Sequence, residues 1–236
     1  MTALETPDKA AVATLPPLVH GVAVPVGEVL SGWKGISALT LAEAGVRQVN
    51  GAVEVPYMDE LGVERKVKVF APNGRCWYCP PGVGPMLYGL ERIPGLQRRL
   101  HRMLWICEGE SDALCMRDHC GMWRGHPLDI VAVPGAACWR EEWARYTRGY
   151  AAVYCFPDGD DAGRRLAEDL GRTVSTAIRV YLPAGRDVRD VLLRDGAGAL
   201  DRLLVEAEQV AVLHAAIRWS PTLGMAKQVL ATLGSP

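Results

Sequence analysis

The 236-residue sequence has little of several features that would assign it quickly to a class of protein. It lacks an apolar run near the ~18 residues that a membrane-spanning helix needs, which argues against contact with a membrane. Its formal net charge is −1, so no overall positive field favours nucleic acid as a partner. The first twenty residues lack the basic start and apolar centre of a signal peptide. We therefore expect a cytoplasmic protein.

Two metal- and nucleotide-binding motifs are also missing. The sequence contains no Gly-x-x-x-x-Gly-Lys-Ser/Thr loop for a triphosphate and no two paired cysteine or histidine sets for structural zinc. Cys76 and Cys79 form a single Cys-x-x-Cys, which could be half a zinc site, a redox pair or two cysteines of a strand and turn. The seven cysteines are scattered and odd in number, as is typical of a reducing compartment. We expect no zinc.

Changes in composition and in the pattern of apolar residues divide the chain into four parts. A proline-rich start predicts an irregular N-terminal segment, and a mixture of helix and strand patterns follows it. Strand and helix then alternate, and the end of the chain has a helical pattern. The predicted parts are residues 1–27, 28–100, 101–195 and 196–236.

Residues 28–100 predict a small α+β subdomain. Ser37 to Gly45 has a helix cap, apolar residues at helical spacing and a terminal glycine. Two strand-like runs follow, from Ala52 to Tyr57 and from Arg65 to Phe70, and the loop between them predicts a hairpin.

Residues 101–195 predict an α/β domain. Short apolar strands alternate with amphipathic helices, which is typical of a parallel sheet with helices on its faces. We expect a four-stranded parallel core, followed by C-terminal helices. The predicted strands are 103–107, 129–133, 151–156 and 178–182, and the predicted helices are 111–120, 139–148 and 161–172.

Acidic residues follow three of these strands. Glu108 comes after the first, Asp158 and Asp160 after the third, and Asp187 follows the fourth. Because the carboxyl ends of parallel strands meet at one edge of a sheet, we expect these carboxylates to lie close together. Close carboxylates repel one another unless a divalent ion or a shared proton intervenes. The alternative is a polar loop in which an aspartate only caps the following helix.

Two acidic stretches about fifty residues apart carry a resemblance to a known family. They are Glu108 to Asp112 (Glu-Gly-Glu-Ser-Asp) and Asp158 to Gly163 (Asp-Gly-Asp-Asp-Ala-Gly). Together they resemble the Toprim domain of topoisomerases, primases and several nucleases. Pro183 to Asp187 and Tyr88 to Leu90 are similar to segments of the bacterial and phage (DnaG-like) DNA primases. Gly45 to Tyr57 is similar to the subdomain that precedes Toprim in phage and plasmid primases. The resemblance covers about residues 32–195.

The resemblance implies a role for each matching residue. Asp158 and Asp160 would hold one or two Mg²⁺ or Mn²⁺ ions, and Glu108 would bind metal or act as general acid and base. Asp112 would be a supporting acid and Asp187 a further metal-site carboxylate. Basic residues would contact phosphates of the template or of nucleotides: Arg65, Lys66, Lys68 and Arg75. Lys66 and Lys68 alternate with valines, so a solvated strand face is the alternative for them.

The resemblance implies a DNA primase of a phage or plasmid type, which joins ribonucleoside triphosphates on a single-stranded DNA template. Without a zinc module or a helicase motif, template choice would depend on a helicase or a separate recognition protein. A metal-dependent Toprim nuclease and a non-catalytic nucleic-acid-binding module are the alternatives.

Overall fold

The structure, a computed structural model, describes residues 33–219 and contains two β-sheets. The predictions for residues 1–27 and for the tail after Pro221 lie outside this range. None of the helices between residues 33 and 219 combines the length and the hydropathy needed to cross a bilayer.

The first sheet is antiparallel, and its four strands lie in chain order. A short helix, α1 (Ala38–Glu43), precedes it, and the Ser37 side chain caps this helix by accepting a hydrogen bond from the Thr40 amide. The predicted helix and hairpin are therefore confirmed. The strands are β1 (Arg47–Val49), β2 (Ala52–Met58), β3 (Glu64–Phe70) and β4 (Cys76–Cys79).

The second sheet has five strands in the order β6-β7-β5-β8-β9. Four of them are parallel, and β6 lies antiparallel at the edge. The central strand β5 is buried along its whole length, as is typical of a strand covered on both faces. The strands are β5 (Met103–Cys107), β6 (Met122–Trp123), β7 (His126–Ala132), β8 (Ala152–Phe156) and β9 (Ile178–Arg179).

Helices cover both faces of this sheet. They are α2 (Glu110–His119), α3 (Asp161–Thr173), α4 (Val188–Asp195) and α5 (Ala197–Trp219). On one face, Leu104, Ile106 and Val153 pack in a core with Leu166 and Leu170 of α3. The side chains of the opposite face pack in a core that also holds residues of the first sheet, α1, α2, α4 and α5.

Three predicted elements differ from the structure. The predicted helix 139–148 is a 3₁₀-helical segment, Glu141–Thr147, in which Trp143 and Tyr146 are buried three residues apart, as the three-residue turn allows. Strand β7 begins at His126 rather than residue 129, because a turn through Arg124 and Gly125 pairs it with the unpredicted strand β6.

The fourth predicted strand, 178–182, is reduced to the two residues of β9. Beyond Val180 the chain leaves the sheet and turns back toward the end of β8. There the Gly185 amide donates to the Gly159 carbonyl (2.7 Å) and the Gly159 amide donates to the Arg186 carbonyl (2.8 Å). These bonds place the segment before α4 beside the segment after β8.

Gly163 allows α3 to begin directly against the chain that enters it. A Cβ atom at this position would overlap the backbone oxygen and nitrogen of Asp158. Gly171, in the same helix, has nothing within 4 Å of its Cβ position. A comparison of substitutions at the two glycines therefore distinguishes the effect of close packing at Gly163 from the general cost of glycine in a helix.

We expect Gly163→Ala to lower the free energy of unfolding by about 1–3 kcal/mol, because the backbone around Asp158 has to shift. Gly171→Ala, the matched control, should raise it by about 0.5–1 kcal/mol through helix propensity. Urea unfolding of the two variants and the parent measures both effects. Equal effects at the two positions would contradict the close approach.

Candidate active site

Two of the predicted acids lie side by side, each directly after or close to the end of one of two adjacent parallel strands. Cys107 at the end of β5 is paired with Phe156 at the end of β8, so Glu108 and Asp158 follow at the same edge of the sheet. The Asp158 amide donates a hydrogen bond to Oε2 of Glu108 (3.3 Å). The sheet thus brings together two acids that the strand-end pattern had predicted to lie close together.

Asp160 and Asp187 cap helices at this edge. Oδ1 of Asp160 accepts from the Gly163 amide (2.8 Å) at the start of α3, and Oδ1 of Asp187 accepts from the Asp190 amide (2.6 Å) at the start of α4. The capping alternative is therefore correct for one oxygen of each carboxylate. Capping uses a single oxygen and leaves the other for a second role.

Asp112 lies in the first turn of α2 and is only 5% exposed. Its Oδ1 atom is buried and accepts no hydrogen bond from residues 33–219. Burial, followed by the charges of Asp187 and Asp158, raises the pKa of Asp112 to about 8. A carboxyl group in this state is neutral over much of the physiological range, because burial and neighbouring carboxylates oppose its ionised form.

The same surroundings act on Asp158 and Glu108. Burial, followed by the charges of Glu108, Asp187 and Asp160, raises the pKa of Asp158 to about 7. The pKa of Glu108 is raised as well, mainly by burial. These carboxylates, which we call the acidic cluster (Glu108, Asp112, Asp158, Asp160 and Asp187), therefore carry more negative charge than their surroundings compensate.

Two cations at this edge were missed in the sequence. Nη2 of Arg189 pairs with Oδ2 of Asp187 (3.0 Å), and its charge opposes the rise in the pKa of Asp158 and of Asp112. Lys34 donates to Oγ of Ser111 (3.1 Å). Arg189 follows Asp187 by two residues and could have been noticed, whereas no motif marks Lys34.

The donor atoms of the acidic cluster suit a hard cation, because carboxylate oxygens are the ligands that Mg²⁺ and Mn²⁺ prefer. The unpartnered Oδ1 of Asp112 and the raised pKa of Asp158 are both effects that a nearby cation would reverse. Within residues 33–219, however, no group of three or more Asp, Glu, His or Cys side chains is placed so that it could hold a metal ion as it stands. The chemistry fits, and the ligand set would have to close around the ion.

The predicted phosphate-binding lysines point toward the interior. Lys66 and Lys68 lie opposite Tyr57 and Val55 on β2, so they share the face that packs into the core. Lys66 is 2% exposed and donates to the Gly84 carbonyl (3.0 Å), with its Nζ atom over the rings of two tyrosines. The alternative of a solvated strand face is therefore wrong for Lys66.

Lys68 forms a buried salt bridge with Glu110, the first residue of α2. Its Nζ atom lies 2.8 Å from Oε2 and 3.0 Å from Oε1, and the Tyr57 hydroxyl also donates to Oε1. Glu110 is 2% exposed. Two strands of the first sheet are thereby joined to the helix that begins beside Glu108, a connection that the sequence did not indicate.

The two predicted arginines occupy the surface of the first sheet. Arg65 pairs with Asp59 (Nη2 to Oδ2, 2.6 Å) in the loop between β2 and β3, and Arg75 is exposed in the turn before β4. Their contact with phosphates stays a prediction.

The fold is that of DNA primase catalytic cores. The primase fragment of the bacteriophage T7 primase-helicase protein superposes with a TM-score of 0.60 over 72% of both chains, at 19% identity. A DnaG primase catalytic domain bound to single-stranded DNA gives a TM-score of 0.61 over 79% of this chain and 73% of its own, at 16% identity. T7 primase domains bound to an RNA/DNA hybrid and dTTP give 0.58 at 22% identity, over 74% of this chain and 87% of theirs.

No family model matches the sequence. A curated phage protein does: Gene 57 protein of Mycobacterium phage D29 is 32% identical over 120 residues, which are 51% of this chain and 72% of the phage protein. The chain belongs to the family of this phage protein.

The raised pKa of Asp112 predicts a dependence of stability on pH in metal-free solution. Unfolded Asp112 ionises near pH 4 and folded Asp112 near pH 8, so the folded chain binds more protons between these values. Its contribution therefore makes stability fall as pH rises through this window, with a slope of up to about 1.4 kcal/mol per pH unit.

Asp112→Asn should reduce the measured slope by the share of Asp112, while the raised pKa values of Asp158 and Glu108 maintain the rest. Urea unfolding at pH 5.5, 6.5 and 7.5 with EDTA measures this change. Asp201→Asn, at an exposed position in α5, is the control and should keep it. An unchanged slope in Asp112→Asn would show that Asp112 is not held neutral by the fold.

We expect the same substitution at the two lysines of β3 to change the free energy of unfolding differently. Lys68→Met leaves Glu110 buried without its cation and should lower the free energy of unfolding by about 3–5 kcal/mol. Lys66→Met removes a buried cation that has no carboxylate partner within residues 33–219, so its effect should be small or stabilising. Denaturant unfolding at pH 7 compares the two variants, and a larger loss for Lys66→Met would contradict the assigned contacts.

Proposed function

We propose that this chain is the catalytic core of a phage-type DNA primase, which synthesises short RNA primers on single-stranded DNA with Mg²⁺ or Mn²⁺. The observation that carries the proposal is the acidic cluster, because it lies at the carboxyl edge of a parallel sheet and is under-compensated in charge. Nucleotidyl transfer requires divalent cations at such a place, where the phosphates of the substrate bring further negative charge.

The solved structures of similar fold support the choice of substrates in this proposal. Solved structures of similar fold include one bound to single-stranded DNA and one bound to an RNA/DNA hybrid and dTTP. By analogy, this chain would take a single-stranded DNA template and nucleoside triphosphates. A helicase or a separate template-recognition protein would bring it to its site, as the T7 primase is part of a primase-helicase protein.

The parallel strands β7, β5, β8 and β9, with acids after β5 and β8, support a Toprim domain. In it, Glu108, Asp158 and Asp160 would hold the cation, and Asp187 would join them after release from Arg189. The bound ion would lower the pKa of the attacking 3′-hydroxyl and neutralise charge on the phosphates.

The remaining groups of the site have roles that follow from their chemistry. Glu108, whose pKa is raised, is suited to accept and return a proton near neutral pH. Arg189 and Lys34 supply positive charge at the same edge and would contact the triphosphate. Asp112 would orient groups around them from its buried position.

A primer-synthesis assay tests the proposal. The full chain, ribonucleoside triphosphates, Mn²⁺ or Mg²⁺ and several single-stranded templates should yield short RNA products. Asp158→Asn and Glu108→Gln should each reduce synthesis by about 100-fold or more, because each removes a ligand or a proton acceptor. Asp161→Asn is the matched control: this carboxylate lies beside Asp160, but its side chain is 74% exposed, so synthesis should persist.

The same assay distinguishes the alternatives. Metal-dependent cutting of labelled nucleic acid without nucleotides, lost in Asp158→Asn, would identify a nuclease instead. Binding of DNA with neither synthesis nor cutting would identify a non-catalytic module. Equal synthesis by the parent and Asp158→Asn would exclude the acidic cluster as the active site.

A further inference from the structure

A cavity of about 390 Å³ lies at the opposite edge of the second sheet from the acidic cluster. It is lined by residues at the amino ends of the parallel strands, such as Arg102 just before β5 and Leu128 early in β7, and by the C-terminal end of α2. The end of α1 closes it from the side of the first sheet. Its volume is within the range of small-molecule sites.

Most charged groups around this cavity are already paired. Arg102 forms a two-bonded ion pair with the buried Asp129, Nη2 to Oδ1 at 2.5 Å and Nε to Oδ2 at 2.8 Å, and the Tyr150 hydroxyl donates to the same carboxylate. Arg92, at the exposed mouth, lies 3.5 Å from Glu91. Glu43 is also exposed, at the end of α1. Among the described residues that line the cavity, Asp129 is therefore neutralised by Arg102, and Glu43 lies exposed.

Arg117, on α2, is the exception. Its Nη2 atom donates to the Ile130 carbonyl (2.6 Å), and its guanidinium group lies 4.9 Å from the centre of the Tyr88 ring. Its Nε and Nη1 atoms are shielded from solvent and have no hydrogen-bond partner among residues 33–219. No carboxylate within this range forms an ion pair with it.

A shielded guanidinium without a counter-ion is costly, because arginine keeps its proton even when burial lowers its pKa. An anion in the adjoining cavity would compensate this charge. Arg117 lines the cavity, so its charge attracts a phosphate group there even though its Nε and Nη1 atoms are closed to solvent, and Arg92 at the mouth adds a second cation.

We propose that this cavity is a binding site for a small phosphate-bearing anion, with Arg117 as its charge partner and Arg92 at its entrance. Inorganic phosphate and the phosphate of a nucleotide share the required chemistry. The site is separate from the acidic cluster, and an anion bound there would connect α1 with α2 and β7, so binding stabilises the contact between the two sheets' subdomains.

Thermal unfolding of the full chain tests the site. EDTA is included, because the metal-free acidic cluster repels anions, and the buffer contains no phosphate. We expect saturating inorganic phosphate and AMP each to raise Tm by about 5 °C or more, as a ligand that binds only the folded state does. Adenosine at the same concentration should not raise it.

Variants locate the effect. Arg117→Met removes the charge at similar volume, so Tm without ligand should be unchanged or higher, and the response to phosphate should vanish. Arg92→Gln, at an exposed position that requires no refolding of the core, should weaken phosphate binding about tenfold. Arg98→Gln, also exposed but outside the cavity, is the matched control and should leave binding unchanged.

Three results would overturn the site: no rise in Tm of the parent with phosphate, an equal rise in Arg117→Met, or a rise with adenosine equal to that with AMP. The test is independent of the proposed function. Asp158→Asn should keep the full response to phosphate even though it loses primer synthesis, and a failure of primer synthesis in the parent would leave the phosphate response as it is.

Discussion

A buried carboxylate, Glu110, forms a polar joint between the first sheet and the second half of this protein. Tyr57 of β2 and Lys68 of β3 both donate to it, and it is the first residue of α2. Because Glu108 lies only two residues before it, this joint also fixes the position of an acid of the cluster relative to the first sheet. A salt bridge removed from water adds little net stability, but its geometry is specific, since loss of either partner leaves a charge uncompensated.

The raised pKa values in the acidic cluster result from the way the second sheet brings its carboxylates together. The carboxyl ends of β5 and β8 bring Glu108 and Asp158 together, and the return of the chain to Gly159 brings the Asp187 segment beside them. Burial and like charge then raise the pKa of Asp158 and of Asp112. Burial and like charge destabilise the ionised form of these carboxyl groups, which a bound cation, as proposed, would relieve.

Much of this could be predicted from the sequence. Apolar runs followed by acids located Glu108, Asp158 and Asp160, because strand periodicity and the direction of parallel strands are local properties. The joint at Glu110 could not be predicted in this way. A strand pattern shows that Lys66 and Lys68 share a face, but the covering of that face is decided by long-range packing.

The remaining differences have similar causes. Strand β6 has only two residues, too few for a periodic signal, and β9 is shortened because the following chain bonds to Gly159 instead of extending the sheet. No motif marks Arg117, because its lack of a partner among the described residues becomes evident only after α2 packs on β7. Whether a charged side chain finds a partner on another helix or strand depends on tertiary packing, which the pattern of a single sequence does not show.

The central claim is that the acidic cluster is built to receive a divalent cation. Calorimetric titration of Mn²⁺ into the full chain at pH 7, in two buffers of different ionisation enthalpy, measures it most directly. Because Asp158 and Asp112 have pKa values of about 7 and about 8, binding should release about one proton per ion. An absence of binding heat in both buffers, or binding without proton release, would contradict the account.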